Sequence, residues 1–218
     1  MLKLLTEGDS ASVKLPVDSI FKGGSKSPAF KGKFATYYVK VEKLIPRDGT
    51  NSQAFKTAVN DYVQALNLSL KNSEPEKIRK YIADKKLIVT KSDSGIYRVM
   101  VLKGKGPLPV KGDTVVINYT GSLLSGKMFE TNIPSDAVKG NIGTKTNTYD
   151  PIGIPLGEGK IIPGIEQSLF LLNKGSEAKL IIPSKFAYGE HGKGTVIAPF
   201  TPVVFRIQIA NIIHPKKK

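Results

Sequence analysis

This chain has no cysteine and no tryptophan, and only two histidines among its 218 residues. Without cysteine there is no disulfide, no thiolate nucleophile and no sulfur-ligated metal. That absence fits cytoplasm and cell envelope equally. His191 and His214 lack the spacing of a metal motif, so no metal site and no cofactor is expected. Long hydrophobic runs are also missing. None approaches the roughly 20 apolar residues of a membrane span. The opening Met1-Leu2-Lys3-Leu4-Leu5 holds no apolar stretch long enough for a signal peptide, so localisation is not legible there.

Positive charge is what the chain has in excess. The formal net charge is +15. Divided at residue 90, it is +7 before and +8 after. A nucleic-acid binder usually concentrates its charge on one face or tail. Here the only run is Lys216-Lys217-Lys218, in a basic tail over 215–218 that reads as a frayed terminus. No nucleic-acid partner is expected. An apolar fraction of 40% is enough for one or two ordinary domains.

Two stretches combine aromatic and β-branched residues with tight glycine turns. One runs from Asn118-Tyr119-Thr120-Gly121 to Gly126-Lys127-Met128-Phe129-Glu130. The other is Ile161-Ile162-Pro163-Gly164-Ile165-Glu166, followed by Ala187-Tyr188-Gly189. Almost no conventional catalytic group accompanies them. Such a set suits a dry apolar pocket better than acid–base chemistry. In this order the set resembles the FKBP-type peptidyl-prolyl isomerases, the macrolide-binding immunophilins. The resemblance covers roughly Ser94 to Ile213.

The period along the chain agrees with an α+β layout. From Leu87 it shifts to two: Ile88, Thr90 and Ile96–Val101 predict strands around the Asp93-Ser94-Gly95 turn. Thr114–Tyr119, Glu177–Ile182 and Val203–Ile213 predict further strands, and Gly164–Asn173 is the one helical window. The resemblance implies an FKBP-like antiparallel sheet wrapped around one short helix, in a domain over 92–214. Thr131 to Pro151 is polar and mostly aperiodic, a long loop for a compact domain and longer than the family usually shows.

Residues 46–91 read as a helical connector. Phe55, Val59, Tyr62, Val63, Leu66 and Leu70 recur at helical spacing. Ser73 then offers an N-cap, with Pro75 in the first turn and Glu76 at the capping-box position. Two helices are therefore expected. The apolar stripe packs on its own chain or serves a homodimer.

The start of the chain repeats its end. Leu4-Leu5-Thr6-Glu7-Gly8-Asp9-Ser10-Ala11 matches Leu171-Leu172-Asn173-Lys174-Gly175-Ser176-Glu177-Ala178 at an offset of 167. The match holds through Pro16 against Pro183 and Phe21 against Tyr188. At 168, Val41–Ile45 falls on Ile209–Ile213. Residues 1–45 thus look like the C-terminal half of another FKBP-like domain, without the half that carries the aromatic strands. A half sheet cannot bury its apolar face alone. The chain then reads as a piece of a longer two-domain protein or as one whose start is assigned late; alternatively, this half packs on the second domain or pairs with another chain by strand addition. It keeps no counterpart of Tyr119, Phe129 or Ile162, so no second active site is expected.

The chemistry implied by the resemblance needs no bond to break. The X-Pro amide prefers trans by only about 0.5–1 kcal/mol, yet its barrier is about 18–20 kcal/mol. The planar amide is the more charge-separated form, and an apolar cavity disfavours it relative to the twisted one. Binding the twisted amide best is catalysis. The resemblance puts Tyr119, Phe129 and Phe205 around the proline ring. It puts Ile161 and Ile162 where the Ile162 N–H meets a substrate carbonyl, and Ile165 on the pocket floor. Tyr188 would reach substrate through its hydroxyl, Ile197 would lie at the rim, and Ile152 would form another wall. Taken singly, each apolar member would suit any core, and both tyrosines could cap a sheet edge; the ordered set carries the specificity.

Two departures qualify the site. Glu130 stands where the family usually has Asp, and Ile165 where it usually has Trp. The pocket should be looser, with macrolide binding weakened more than isomerase activity. A non-catalytic, chaperone-like module binding proline-containing polypeptides on the same fold is the alternative. Tandem FKBP-like units joined by helices resemble bacterial cell-envelope proteins, which implies periplasm or envelope.

Overall fold

The computed structural model describes residues 5–20, 32–46, 52–142 and 149–215. The chain divides into two units, Met1–Val63 and Gln64–Lys218.

In the first unit, β1 (Ser10–Pro16) is followed by the short α1 (Val17–Ile20) and pairs antiparallel with β2 (Phe34–Lys40). Ser10 faces Lys40, Ala11 faces Val39 and Leu15 faces Ala35. Phe34, Tyr37 and Tyr38 stay exposed. Phe21, the counterpart of Tyr188 in the repeat, lies outside the described residues.

A single helix, α2 (Ser52–Asp84), follows with Pro75 inside it. This corrects the expectation of two helices. The Ser73 hydroxyl does not cap a new start: it donates back to the Leu70 carbonyl at 2.9 Å, within the running helix. Pro75 removes one backbone donor without ending the spiral. Beyond it, Ile78 is buried with Ile181 and Val204, and Tyr81 and Ile82 pack against them.

The second unit is built on a seven-stranded antiparallel sheet. Its strands are β3 (Thr90–Lys91), β4 (Tyr97–Leu102), β5 (Thr114–Leu123), β6 (Met128–Thr131), β7 (Ile152–Pro155), β8 (Glu177–Ile182) and β9 (Val203–Ile213). The spatial order is β3-β4-β8-β9-β5-β6, and β7 also pairs with β5. Ala178 faces Ile207 and Ile182 faces Val203. Shifting β8 by 167 and β9 by 168 reproduces the β1–β2 register residue for residue.

One face of this sheet covers α4 (Pro163–Leu169), which begins with Pro at its first position. Ile165, Leu169 and Leu172 are buried among Val115, Ile117, Leu180, Ile182, Phe205 and Ile207. Gly164 permits the approach: a Cβ there would come within 2.3 Å of Ile182 Cγ2. The helix ends earlier than the predicted Asn173, and turns with 3₁₀-type bonds carry the chain through Leu172.

The segment expected as a plain loop after Thr131 contains a further helix, α3 (Pro134–Gly140). Pro134 opens it, Asp136 sits in its first turn, Lys139 in its last, and Asn141 closes it in the left-handed region at φ 49°. Residues 143–148 of that segment lie outside the described residues, as do Lys216–Lys218.

Candidate functional site

Strand β5 brings Tyr119 and Gly121 next to β9, where Gly121 faces Phe205. Strand β6 pairs on the other side, with Glu130 opposite Gly121. Position 121 is tightly enclosed. A Cβ would meet the rings of Phe129 and Phe205 at 2.8 Å each, so its absence leaves room for the aromatic floor above the sheet.

The aromatic residues converge. Phe129 meets Phe205 edge-on with centroids 5.7 Å apart, and meets Tyr188 edge-on at 6.2 Å. Tyr119 and Phe205 are tilted at 6.2 Å. A cavity of about 290 Å³ opens beside them, lined by Tyr119, Phe205, Tyr188, Ile161, Ile162 and Ile165 among others. Ile152 from β7 also lines it, with Glu130 at its edge, whereas Phe129, expected as a wall, packs against the lining rings of Phe205 and Tyr188. A larger groove, about 600 Å³, lies between α2 and the sheet. The smaller cavity is the candidate site because the aromatic rings and the convergent polar groups are there.

Ile165 is fully buried and lines the cavity from α4. Ile162 is the N-cap of α4 in an extended conformation, and its carbonyl accepts from Ile165 and Glu166. Its N–H has no protein acceptor among the described residues. Ile197 is 1% exposed and packs in the core rather than lining the cavity. The rim position expected for Ile197 is not where its side chain lies: its backbone pairs with Lys193 and its side chain joins the buried core.

Three polar groups meet at the mouth. The Tyr119 hydroxyl donates to Glu130 Oε1 at 2.7 Å, and Lys193 Nζ donates to Oε2 at 2.8 Å. Lys193 Nζ also lies 5.3 Å from the Tyr188 ring centroid. Burial, then the hydrogen bond and charge of Glu130, push the Tyr119 hydroxyl far above its ordinary range. Burial also raises Tyr188, partly opposed by Lys193. For Lys193, burial lowers the value, but Glu130 outweighs it and the net direction is upward. The Tyr119 and Tyr188 hydroxyls and the Lys193 ammonium therefore keep their protons at neutral pH.

The sequence did not single out Lys193, Lys160, Ile154 or Asn132. The first three line the cavity. Asn132 is buried and acts from behind: its Oδ1 accepts the Tyr119 N–H at 2.7 Å, and its Nδ2 donates to Ile117 and Asp150 carbonyls, both at 3.0 Å. Nothing local marks Lys193, whose partner Glu130 stands 63 positions earlier. Among the described residues no group of His, Cys, Asp and Glu could hold a metal.

This arrangement offers apolar walls, the unpaired Ile162 N–H and the hydroxyls of Tyr119 and Tyr188. Such groups can hold an amide in a dry cavity.

Comparison with known proteins agrees. Residues 106–210 match the model for FKBP-type peptidyl-prolyl cis-trans isomerase. The FKBP-type 22 kDa peptidyl-prolyl cis-trans isomerase of Escherichia coli K12 is 32% identical over 136 residues, covering 62% of this chain and 59% of the relative. FkpA of the same organism is 29% identical over 214 residues, covering 95% and 68%. The crystal structure of E. coli FkpA superposes with a TM-score of 0.56 at 29% identity, over 74% of this chain and 70% of that one. An isomerase from Pseudomonas syringae superposes at 0.51 and 28% identity, over 67% and 95%. Residues 106–210 carry a domain of the FKBP-type peptidyl-prolyl cis–trans isomerase family, and the chain as a whole is similar to the bacterial kind that FkpA represents.

Proposed function

We propose that this chain accelerates cis–trans rotation about X-Pro bonds in polypeptide substrates, assisting folding. The observation that carries this is the Phe129–Phe205–Tyr188 aromatic cluster beside the unpaired Ile162 N–H. In this reading the proline ring enters between Tyr119, Phe129 and Phe205, over Ile165. The Ile162 N–H receives a substrate carbonyl, and the Tyr188 hydroxyl donates to another. Desolvation disfavours the planar amide, and the two donors hold its flanks while the C–N bond turns. Ile152, Ile161 and Glu130 complete the wall, and Ile197 supports it from the core.

The domain reading goes with it. Residues 1–45 are taken as the C-terminal half of a second FKBP-like unit, on the strength of the shared register of β1–β2 and β8–β9. Residues 46–91 form the connector and 92–214 the isomerase domain. Weak macrolide binding at the same cavity, and a periplasmic or envelope location, follow from the family resemblance.

Refolding of a protein limited by a slow prolyl step tests the function. The native chain should shorten that phase, and Tyr188→Phe and Phe129→Ala should each lose most of the effect. A native chain that suppresses aggregation but leaves the slow phase unchanged would instead support the chaperone-like binding module.

A further inference from the structure

Glu74 is a helix residue with 8% exposure, buried where a glutamate needs a reason to be. Both of its carboxyl oxygens go to one residue, Ser184, 110 positions later. The Ser184 N–H donates to Oε1, and the Ser184 hydroxyl donates to Oε2 at 2.7 Å. Ser184 is itself buried and opens a one-turn 3₁₀ helix, Ser184–Phe186.

The link continues. The Ser184 carbonyl accepts the Ala187 N–H and the Gly189 N–H, each at 2.8 Å. These two amides flank Tyr188 on either side. The Gly189 carbonyl accepts the Phe200 N–H at 2.9 Å, closing the loop's far side. Tyr188 is thus held at the cavity by a backbone clamp whose anchor is Ser184. Ile78, one turn beyond Glu74, is buried against Ile181 and Val204. That contact fixes α2 along its axis, so the carboxyl group cannot drift from Ser184.

We propose that Glu74 is a positioning residue for the isomerase site: through Ser184, the connector helix sets where Tyr188 stands. This rests on reading Tyr188 as a substrate-contacting group. Removing the carboxyl group leaves the Ser184 N–H and hydroxyl buried without acceptors, which favours local opening of the turn. A displacement of about one ångström at Tyr188 is enough to cost activity heavily. The connector is then part of the catalytic apparatus and not a spacer.

The test uses the full chain with Glu74→Ala, Glu74→Gln and Ser184→Ala, and Lys71→Ala as a helix control. Steady-state kinetics on an Ala-Leu-Pro-Phe peptide are read beside the ring resonances of Tyr188. Glu74→Ala should lower kcat/KM about tenfold, mostly in kcat, and shift the Tyr188 resonances. Glu74→Gln keeps an acceptor and should restore both to within about twofold, and Lys71→Ala should change neither. If Glu74→Ala does not fold, Ser184→Ala reports the loss of the hydroxyl bond alone and should move the same resonances. Unmoved Tyr188 resonances in the folded variants would overturn the proposal. So would moved resonances with unchanged kcat. If the native protein accelerates no peptide, the isomerase reading fails by itself, and the Tyr188 resonances still decide whether Glu74 positions that residue.

Discussion

Glu130 accepts the Tyr119 hydroxyl on one carboxylate oxygen and the Lys193 ammonium on the other, at 2.7 and 2.8 Å. One carboxylate thus serves both partners at once. It joins β6 to the loop that carries Tyr188. Shortening it by Glu130→Asp should keep one partner and lose the other. With Lys193 54% exposed, the ion pair itself contributes only about 0.5 kcal/mol, so the thermal midpoint should barely move. The kcat/KM for a proline peptide should fall about tenfold, through geometry. Matched losses of stability and activity would contradict this division.

Alkaline titration gives a second expectation. The folded Tyr119 hydroxyl titrates far above its unfolded value, raised first by burial and then by Glu130. A raised folded value means that the stabilisation is fully present below the unfolded tyrosine value, near 10. It is lost as pH rises through the folded one. Phenolate absorbance at 295 nm should show a late component that disappears in Tyr119→Phe.

Acid should act elsewhere. Asp113 is buried, accepts the Val110 N–H at 2.9 Å and meets His214 Nδ1 at 2.8 Å. The Val110 N–H, helped by His214 and opposed by burial, holds it below the ordinary carboxylate range. A depressed folded value means stabilisation that is present above the unfolded value and lost as pH falls through the folded one. Asp113→Asn should therefore be least stable relative to native at neutral pH, and the difference should shrink below about pH 4. Circular dichroism against urea at pH 7 and pH 3 checks this.

Gly121→Ala should injure the cavity from beneath. The new Cβ would press on both Phe129 and Phe205 at 2.8 Å. Overpacking of this kind costs about 1–3 kcal/mol. Activity should drop further than that cost implies, since Phe205 lines the cavity and Phe129 packs edge-on against Phe205 and Tyr188.

Tyr119 and Phe129 were legible together because β5 and β6 are consecutive strands joined by a glycine turn. Phe205 lies on β9, which pairs with β5 only at long range, and was placed by the family resemblance. The long helix was read as two because Ser73 and Pro75 imitate a helix start, whereas tertiary burial of Glu74 and Ile78 carries the spiral through. Helix α3 was missed although Pro134 and Asn141 mark both its ends, since its polar residues gave no apolar period. Lys193 and Asn132 could not be found, because long-range hydrogen bonds leave no local pattern.

The central claim is that the aromatic cavity lowers the barrier to X-Pro rotation. Cis–trans exchange of a short Ala-Leu-Pro-Phe peptide, followed by NMR exchange spectroscopy, tests it with native protein and with Phe129→Ala. Losing the two edge-on contacts of Phe129 should cost about 3 kcal/mol of stability, so the variant is compared well below its unfolding midpoint. The account predicts faster exchange with native protein at substoichiometric concentration, and a loss of at least tenfold in the variant. Native protein that is folded yet leaves the exchange rate unchanged would contradict it.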